Sequence, residues 1–392
     1  MDLSYSPEHE AFRGEVRSFL ETHGTQAPRG GGPEALAWQT LLIAHGYAAR
    51  TIPKAYGGFG AEPDILKSRI ISEEFSRAQV STGLGGQGIS MLVPTLLEMG
   101  TEAQKRDFIG PTLRGEMVWC QGYSEPNAGS DLANLATRGT LDGDDWVING
   151  QKIWTSTAHL ADWIFCLVRT EPDAPKHQGI SFLLFSMKTP GIEIRPLVDM
   201  TGAANFNEVF FTDVRVPKEQ IVGRRGEGWK VANTILGHER GSLADPNQMQ
   251  TRLNALIDLM RTETVGGVRA IDNPVFRDRL MAIQGRVLAL RCNDLRLLSA
   301  AVNHQGAGLA GLVVKLQGTE LRHELEALAI DVMGEMGTLY GDTPGLRDQG
   351  SWQRNYMYFL GLIIGGGTSQ IQKNIISERG LGMPREPKLA QA

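Results

Sequence analysis

The chain has 392 residues, of which 41% are hydrophobic and 21% charged, and its formal net charge is −5, from 39 basic against 44 acidic side chains. That length suffices for two or three domains with a large buried core, and with no basic run or aromatic-interleaved basic patch, nucleic acid is not an expected partner. The opening Met-Asp-Leu-Ser-Tyr-Ser-Pro-Glu is polar and acidic, unlike a signal or transit peptide, and apolar runs such as Ile180–Phe185 are too short to span a membrane.

From Pro7 to about Glu116 the pattern is helical. Phe12, Val16, Phe19 and Leu20 recur at helix spacing, Gly24–Pro33 reads as a connecting loop, and Ile65, Leu66, Ile70, Ile71 and Phe75 share one side of a second helix. The texture then changes. Trp146 to Trp154 is read as two β-type runs about Asn149-Gly150, a short hairpin signal. Trp163–Val168, Ile180–Phe185, Ile192–Ile194 and Glu208–Phe211 continue as short strands.

After Gly228 the chain turns helical again. Met249, Leu253, Leu256, Ile257 and Met260 form one stripe, and Leu280, Ile283, Val287, Leu290 and Leu297 another. Leu312 to Met333 carries a third helix, so a four-helix bundle is expected. The predicted class is α+β: a helical domain over 1–119, a β-barrel or sandwich domain over 120–228, and a C-terminal four-helix bundle over 229–392. Residues after about Pro384 read as a polar tail.

Several motifs invite chemistry they do not support. Gly83-Leu84-Gly85-Gly86-Gln87-Gly88 has the spacing of a dinucleotide fingerprint, but no strand precedes it. Glu320-Leu321-Arg322-His323 has a di-iron spacing without a second copy, so it reads as a solvated helix face and no metal is expected. Cys120, Cys166 and Cys292 form no Cys-x-x-Cys pair. Each is expected as a small buried apolar residue in a reduced, cytoplasmic protein.

One stretch carries more. Gln121-Gly-Tyr-Ser-Glu-Pro-Asn-Ala-Gly-Ser-Asp131 and Gly150-Gln-Lys-Ile-Trp-Thr-Ser156 are small-residue loops offering amides and hydroxyls beside the π-face of Trp154. That combination suits a planar, hydrogen-bonding ring. The two segments resemble the flavin-binding middle domain of the acyl-CoA dehydrogenases, with its Thr-Glu-Pro-x-Ala-Gly-Ser-Asp and Trp-Ile-Thr. Pro53-Lys54-x-Tyr56-Gly57-Gly58, Phe206-Asn207-Glu208-Val209-Phe210-Phe211 and Gly367-Thr368-Ser369-Gln370-Ile371-Gln372 extend the resemblance along nearly the whole chain, in the family's order.

The resemblance implies FAD as cofactor and an acyl-CoA substrate. It implies that Tyr123 and Ser124 touch the flavin ring edge, that Ser130 contacts flavin phosphate or acyl-CoA, and that Trp154 packs on the ring. Ser156 replaces a Thr whose hydroxyl approaches flavin N5, and Thr368 and Gln370 serve the adenosine half. The glycines from Gly83 to Gly88, with Ser90, would border the acyl cavity and leave room for a bulky substrate, or else serve a helix contact.

The chain departs from the family pattern twice. The Arg-x-x-Phe-Gly that reaches a neighbouring subunit's FAD is missing, and Arg261 or Arg269 would substitute. The catalytic Glu that many members place before Gly-Thr is Gly366 here. A minority takes its base from a Glu-Arg pair on the first long helix of the C-terminal domain, which points to Glu239, with Arg240 beside it toward the substrate. Gly366 would keep a role through its backbone N–H on the thioester oxygen. The implied activity is Cα–Cβ oxidation to a trans-2-enoyl-CoA, with electrons passed to an electron-transferring flavoprotein. The implied assembly is a homo-oligomer, dimer or tetramer, or a hetero-oligomer with a paralogous subunit. The alternatives are a flavin oxidase or monooxygenase on the same fold, and a non-catalytic subunit of a mixed oligomer.

Overall fold

Apolar spacing becomes helix at both ends of the chain and sheet between them. The computed structural model describes residues 5–240 and 245–385; for Glu239 and Arg240 it describes the backbone alone. The chain divides into two compact units, residues 1–239 and 240–392.

In the first unit, α1 (Pro7–His23), α2 (Pro33–Ala44) and α3 (Ile65–Ala78) enclose Phe12, Val16, Phe19, Trp38, Leu42, Ile70 and Phe75. Ser6 accepts from the His9 amide and Asp64 from the Leu66 and Lys67 amides, so both long helices start on a side-chain cap. The buried Glu74 carboxylate of α3 takes Arg13 and Arg17 from α1 at 2.8 and 2.9 Å and Arg77 at 2.9 Å, locking the pair. Three shorter helices follow: α4 (Val93–Met99), α5 (Glu102–Gln104) and α6 (Gly110–Leu113).

The middle of the chain forms one curled sheet. Its strands are β1 (Trp119–Gly122), β2 (Arg138–Asp142), β3 (Asp145–Lys152), β4 (Trp163–Arg169), β5 (Ile180–Ser186), β6 (Ile192–Leu197), β7 (Phe206–Pro217) and β8 (Ile221–Val222). They run in the order β6-β7-β3-β2-β4-β5-β8, with β1 parallel to β4. β4 and β5 are apolar without alternation because both their faces are covered. Phe165, Leu167, Phe182 and Leu184 pack with Leu92, Leu96, Phe108 and Ile109 of the helical segments and with Val231 and Ile235 of α7 (Gly228–Arg240). Ile164, Cys166, Leu183 and Phe185 face Ile148, Val209, Phe211 and Val214 of β3 and β7.

The expected hairpin at Asn149-Gly150 is absent. Both residues lie inside the single strand β3, and the turn falls at Gly143-Asp144, between β2 and β3. Asn149 instead marks a bulge, where Thr212 and Asp213 of β7 oppose it. Its side chain donates to Asp213 Oδ1 at 3.0 Å and accepts the Asp213 amide at 2.9 Å, holding Asp213 at φ 49°. Gly150 is required by close approach rather than by a turn, since a Cβ there would meet Thr137 Cα at 2.7 Å.

The second unit is the helical bundle: α8 (Pro246–Thr262), a hairpin of β9 (Thr264–Val265) and β10 (Val268–Arg269), then α9 (Pro274–Val302), α10 (Gly308–Leu312), α11 (Val314–Met333), α12 (Ser351–Ile364) and α13 (Ser369–Ile375). Met249, Leu253, Leu256, Leu280, Ile283, Val287, Leu325, Leu328 and Trp352 form its core. Two expectations fail here. Cys292 is exposed on α9, whereas Cys120 and Cys166 are buried and burial pushes the Cys166 thiol up to about 12. Nor is the Glu320–His323 segment a solvated face. Leu321 is buried, the Arg322 guanidinium lies 4.5 Å over Phe359, and His323 stacks on Tyr356 at 4.8 Å, because α12 covers that side of α11. Among the described residues no three His, Cys, Asp or Glu converge as a metal site, and no helix is long and apolar enough to cross a membrane.

Candidate flavin and substrate site

Two loops of the first unit are tied together at their bases. Beyond β1, Glu125 and Ala128 exchange both backbone hydrogen bonds, at 3.1 and 3.0 Å, giving the Ser-Glu-Pro-Asn-Ala segment a tight turn. The Ile153 amide donates to Ser124 O at 2.9 Å, joining this turn to the segment after β3. Beneath that link the wholly buried Lys152 ammonium donates to Glu125 Oε1 at 2.7 Å and to Tyr123 O at 3.2 Å. Glu125 also accepts the Ala136 and Thr137 amides at 2.6 and 2.9 Å. Burial alone would raise the Glu125 carboxyl, but the Lys152 charge and these donors hold it below the usual carboxylate range.

Trp154 follows directly. Its backbone is left-handed at φ 59°, and 59% of its surface is exposed. The indole rests edge-on against Phe206, with centroids 6.0 Å apart. Asn207 anchors the next residue: the Thr155 amide donates to Asn207 O, and Asn207 Nδ2 donates to Thr155 O, each at 3.0 Å. Thr155 is therefore buried, while Trp154 and the half-buried Ser156 lie on either side of it. A large flat ring held outward on a strained, doubly anchored backbone is costly for folding alone, and such outliers cluster at ligand sites.

The other residues singled out in this region are placed unequally. Tyr123 is 6% exposed, with its ring edge-on to Phe165 and Phe182 in the core. Ser124 is half-buried at the link between the loops, and Ser130 is exposed on the turn. Arg169 fixes the chain just beyond, donating to Ala133 O at 2.6 Å and to Leu135 O at 3.1 Å. Glu239 and Arg240 close α7; their side chains lie outside the described residues.

In the second unit, Gly365, Gly366 and Gly367 connect α12 to α13, with Gly366 at φ 64° and exposed. The Thr368 hydroxyl caps α13 by accepting the Ile371 amide at 3.2 Å, and Gln370 is exposed on the first turn. Arg261 lies in the last turn of α8, and Arg269 ends the β9–β10 hairpin that follows, with Gly266 and Gly267 at φ 61° and 79° in its turn. Arg261 pairs with Asp258 at 3.0 Å and Arg269 with Asp272 at 2.7 Å.

Sequence reasoning missed Glu125, Lys152, Asn207 and Lys315. Opposite charges inside the two loop motifs, and a lysine bracketed by Val313, Val314 and Leu316, were the available signals.

Comparison with known proteins bears on the whole chain. The N-terminal, middle and C-terminal domain models of acyl-CoA dehydrogenase match residues 6–116, 120–214 and 226–381. The acyl-CoA dehydrogenase IpdE1 of Mycobacterium tuberculosis is 40% identical over 395 residues, covering 97% of this chain and 99% of its own. Among solved structures, a chain of the ChsE4-ChsE5 complex from Mycobacterium tuberculosis superposes with a TM-score of 0.81 at 33% identity, covering 98% of this chain and 100% of that one. A chain of the Tcur3481-Tcur3483 steroid ACAD does so with a TM-score of 0.82 at 29% identity, with the same coverage.

Proposed function

The chain belongs to the acyl-CoA dehydrogenase family, oxidoreductases acting on acyl-CoA, and we propose that it uses FAD to oxidise the Cα–Cβ bond of a CoA thioester to a trans-2-enoyl-CoA. The observation that carries this reading is the outward presentation of Trp154 over the locked Glu125–Lys152 base. An exposed indole, with the half-buried Ser156 two residues on and the Ser124 loop tied to the preceding Ile153, fits a planar ring with polar edges. Tyr123 contributes its backbone on this reading, since its ring is committed to the core.

The substrate gives up a proton at Cα and a hydride at Cβ. Bound FAD supplies the hydride acceptor, and the protein supplies alignment and electrostatics. We assign proton removal to Glu239 at the end of α7, because Gly366 carries no side chain where many family members have the base. The Gly366 N–H stabilises negative charge on the thioester oxygen, which acidifies the Cα proton. Thr368 and Gln370 serve the adenosine half of FAD, Ser130 its phosphates or acyl-CoA, and Arg240 the substrate.

The acyl group is bulkier than a short straight chain on this reading. Gly85 has nothing within 4 Å of an added Cβ, and Ser90 on the same segment is exposed. Gly83 and Gly88 belong instead to packing, since a Cβ at either would meet Gln39 Oε1 at 2.3 Å or Trp119 Cδ1 at 2.6 Å. The neighbour described as a steroid ACAD is consistent with a polycyclic group. We further propose an electron-transferring flavoprotein as acceptor, a cytoplasmic location, and assembly as a homo-oligomer or with a paralogous subunit. Anaerobic bleaching of the flavin against straight, branched, dicarboxylic and polycyclic acyl-CoAs tests the reading. Bleaching by none of these classes would reject it.

A further inference from the structure

Lys315, the second residue of α11, is 2% exposed, and nothing in the roles assigned above uses it. Its ammonium donates to Ile363 O at 3.1 Å and to Gly367 O at 2.6 Å. The first acceptor is a carbonyl in the last turn of α12, where the helix leaves its final carbonyls unpaired and carries partial negative charge. The second lies three residues past the helix end, inside the glycine connection. One buried cation thus spans the turn from α12 to α13.

A second side chain completes the grip. Gln372 of α13, 4% exposed, donates to Gly366 O at 3.2 Å. The Gly365 amide donates back to Gly361 O at 2.7 Å. Gly366 is therefore held on both sides, by the Gly365 amide before it and by its own carbonyl after it. Because a trans peptide directs N–H opposite to the C=O it shares, drawing in the Gly367 carbonyl turns the Thr368 amide the other way. The amides of Gly366 and Thr368 carry no hydrogen bond within the described residues, whereas the turn over Gly365 and Gly366 brings the Gly367 amide back toward the end of α12.

We infer that Lys315 and Gln372 are positioning residues that pin the carbonyls of Gly367 and Gly366, so that the Thr368 amide stays aimed outward as a donor for cofactor and the Gly366 amide, held between two pinned groups, keeps one direction as a donor for the thioester oxygen. Their use by those ligands rests on the function proposed above; the conformational part does not. Three successive glycines have no side chains to fix their dihedrals, and a free connection would present its amides in many directions. A lysine is costly to bury, so its retention at this point reflects a demand that an apolar residue could not meet. The backbone donors of an oxyanion site act only when already aimed, because reorientation during the reaction consumes their stabilisation.

The test uses Lys315→Met and Gln372→Met, which keep side-chain length and remove the donor, in the full-length chain. In apoprotein, hydrogen–deuterium exchange over a peptide spanning 361–373 should accelerate about 10-fold at the bonded amides of Gly365, Ile371 and Gln372, with peptides from α8 and α9 unchanged. In the FAD-loaded enzyme, kcat should fall by roughly 10- to 100-fold with KM for the acyl-CoA nearly constant, as expected for lost transition-state donors. Unaltered exchange in the connection would overturn the inference, and so would faster exchange with unaltered kcat. Should Lys315→Met unfold the whole bundle, Gln372→Met decides by the same two readouts. A wild-type protein that no acyl-CoA bleaches would reject the proposed function while leaving the exchange result to judge the connection.

Discussion

Lys152 Nζ lies 2.7 Å from Glu125 Oε1, with the lysine wholly buried and the glutamate 9% exposed. This pair joins the turn after β1 to the end of β3, so Ser124 and Trp154 inherit their relative position from a salt bridge buried beneath them. A buried pair is expensive to break from one side, because the remaining charge keeps its desolvation cost. Lys152→Met alone should cost about 3–5 kcal/mol in urea unfolding. Pairing it with Glu125→Leu should recover part of that loss. Equal losses in the single and double variants would show that the charge left on Glu125 is not the source of the cost.

Glu74 makes a prediction about acid stability. Burial alone would raise its carboxyl, but hydrogen bonds from Arg17 and Arg13 overturn this and bring it down to about 2 from an ordinary 4.5. A depressed carboxyl stabilises the fold above its unfolded value, and that contribution disappears as pH falls from about 4.5 toward 2. The shift corresponds to about 2–3 kcal/mol, allowing for the solvent around Arg17 and Arg77. Glu74→Gln should flatten the decline of stability across that window relative to wild type, as followed by thermal melts at stepped pH. A decline of the same slope in both proteins would assign acid sensitivity to other groups.

Trp154 separates ligand binding from folding. With 59% of its surface exposed and one edge contact to Phe206, Trp154→Ala should change stability by about 1 kcal/mol or less. The same substitution, alone or with Ser156→Ala, should lower flavin retention through gel filtration and slow flavin reduction. Full flavin content with wild-type reduction kinetics would remove both residues from the site.

The fold was legible where burial is one-sided or long. The stripes through Val16 and Phe19, through Leu253 and Leu256, and through Ile283 and Val287 all became helices whose apolar side is the core. The sequence misled at Asn149-Gly150 because a turn-forming pair also suits a bulge, and only the partner strand β7 decides between them. Cys292 was misjudged because cysteine burial is a tendency of the residue type, while exposure is set by which side of α9 it occupies. The site's visible parts, Trp154 and Ser156, could be singled out because aromatic and hydroxyl side chains advertise chemistry. Its supports could not. Lys152 and Lys315 look like solvent residues until the strand and helix that bury them are in place.

Gly85 tests the breadth of the acyl pocket. A Cβ added there meets nothing within 4 Å and the residue is exposed, so Gly85→Leu should leave stability nearly unchanged while narrowing the range of acyl-CoAs that bleach the flavin. Gly88→Ala, whose Cβ would meet Trp119 Cδ1 at 2.6 Å, should destabilise by about 1–3 kcal/mol through overpacking. Butyryl-CoA proving the best substrate of wild type by a wide margin would defeat the bulky-substrate reading. An unchanged substrate range in Gly85→Leu would take that residue off the pocket wall.

Proton removal is the sharpest test of the chemistry. Glu239→Gln preserves shape and removes the acceptor, so the variant should retain FAD and bind acyl-CoA while flavin reduction slows by about two to four orders of magnitude. Gly366→Glu in that background restores a carboxylate at the position many family members use, but recovery should be partial. Gly366 is left-handed at φ 64°, and an L-residue there costs about 1–2 kcal/mol unless the connection rearranges. Rearrangement would in turn disturb the Gln372 bond to Gly366 O, misdirecting the amides the reaction needs. Stopped-flow reduction of the single and double variants separates these effects: the double variant should exceed Glu239→Gln and remain below wild type. Reduction of Glu239→Gln at the wild-type rate would show that the proton leaves by another group, and His238, the residue before Glu239 and 3.2 Å from Glu98 of α4, is the next side chain to replace.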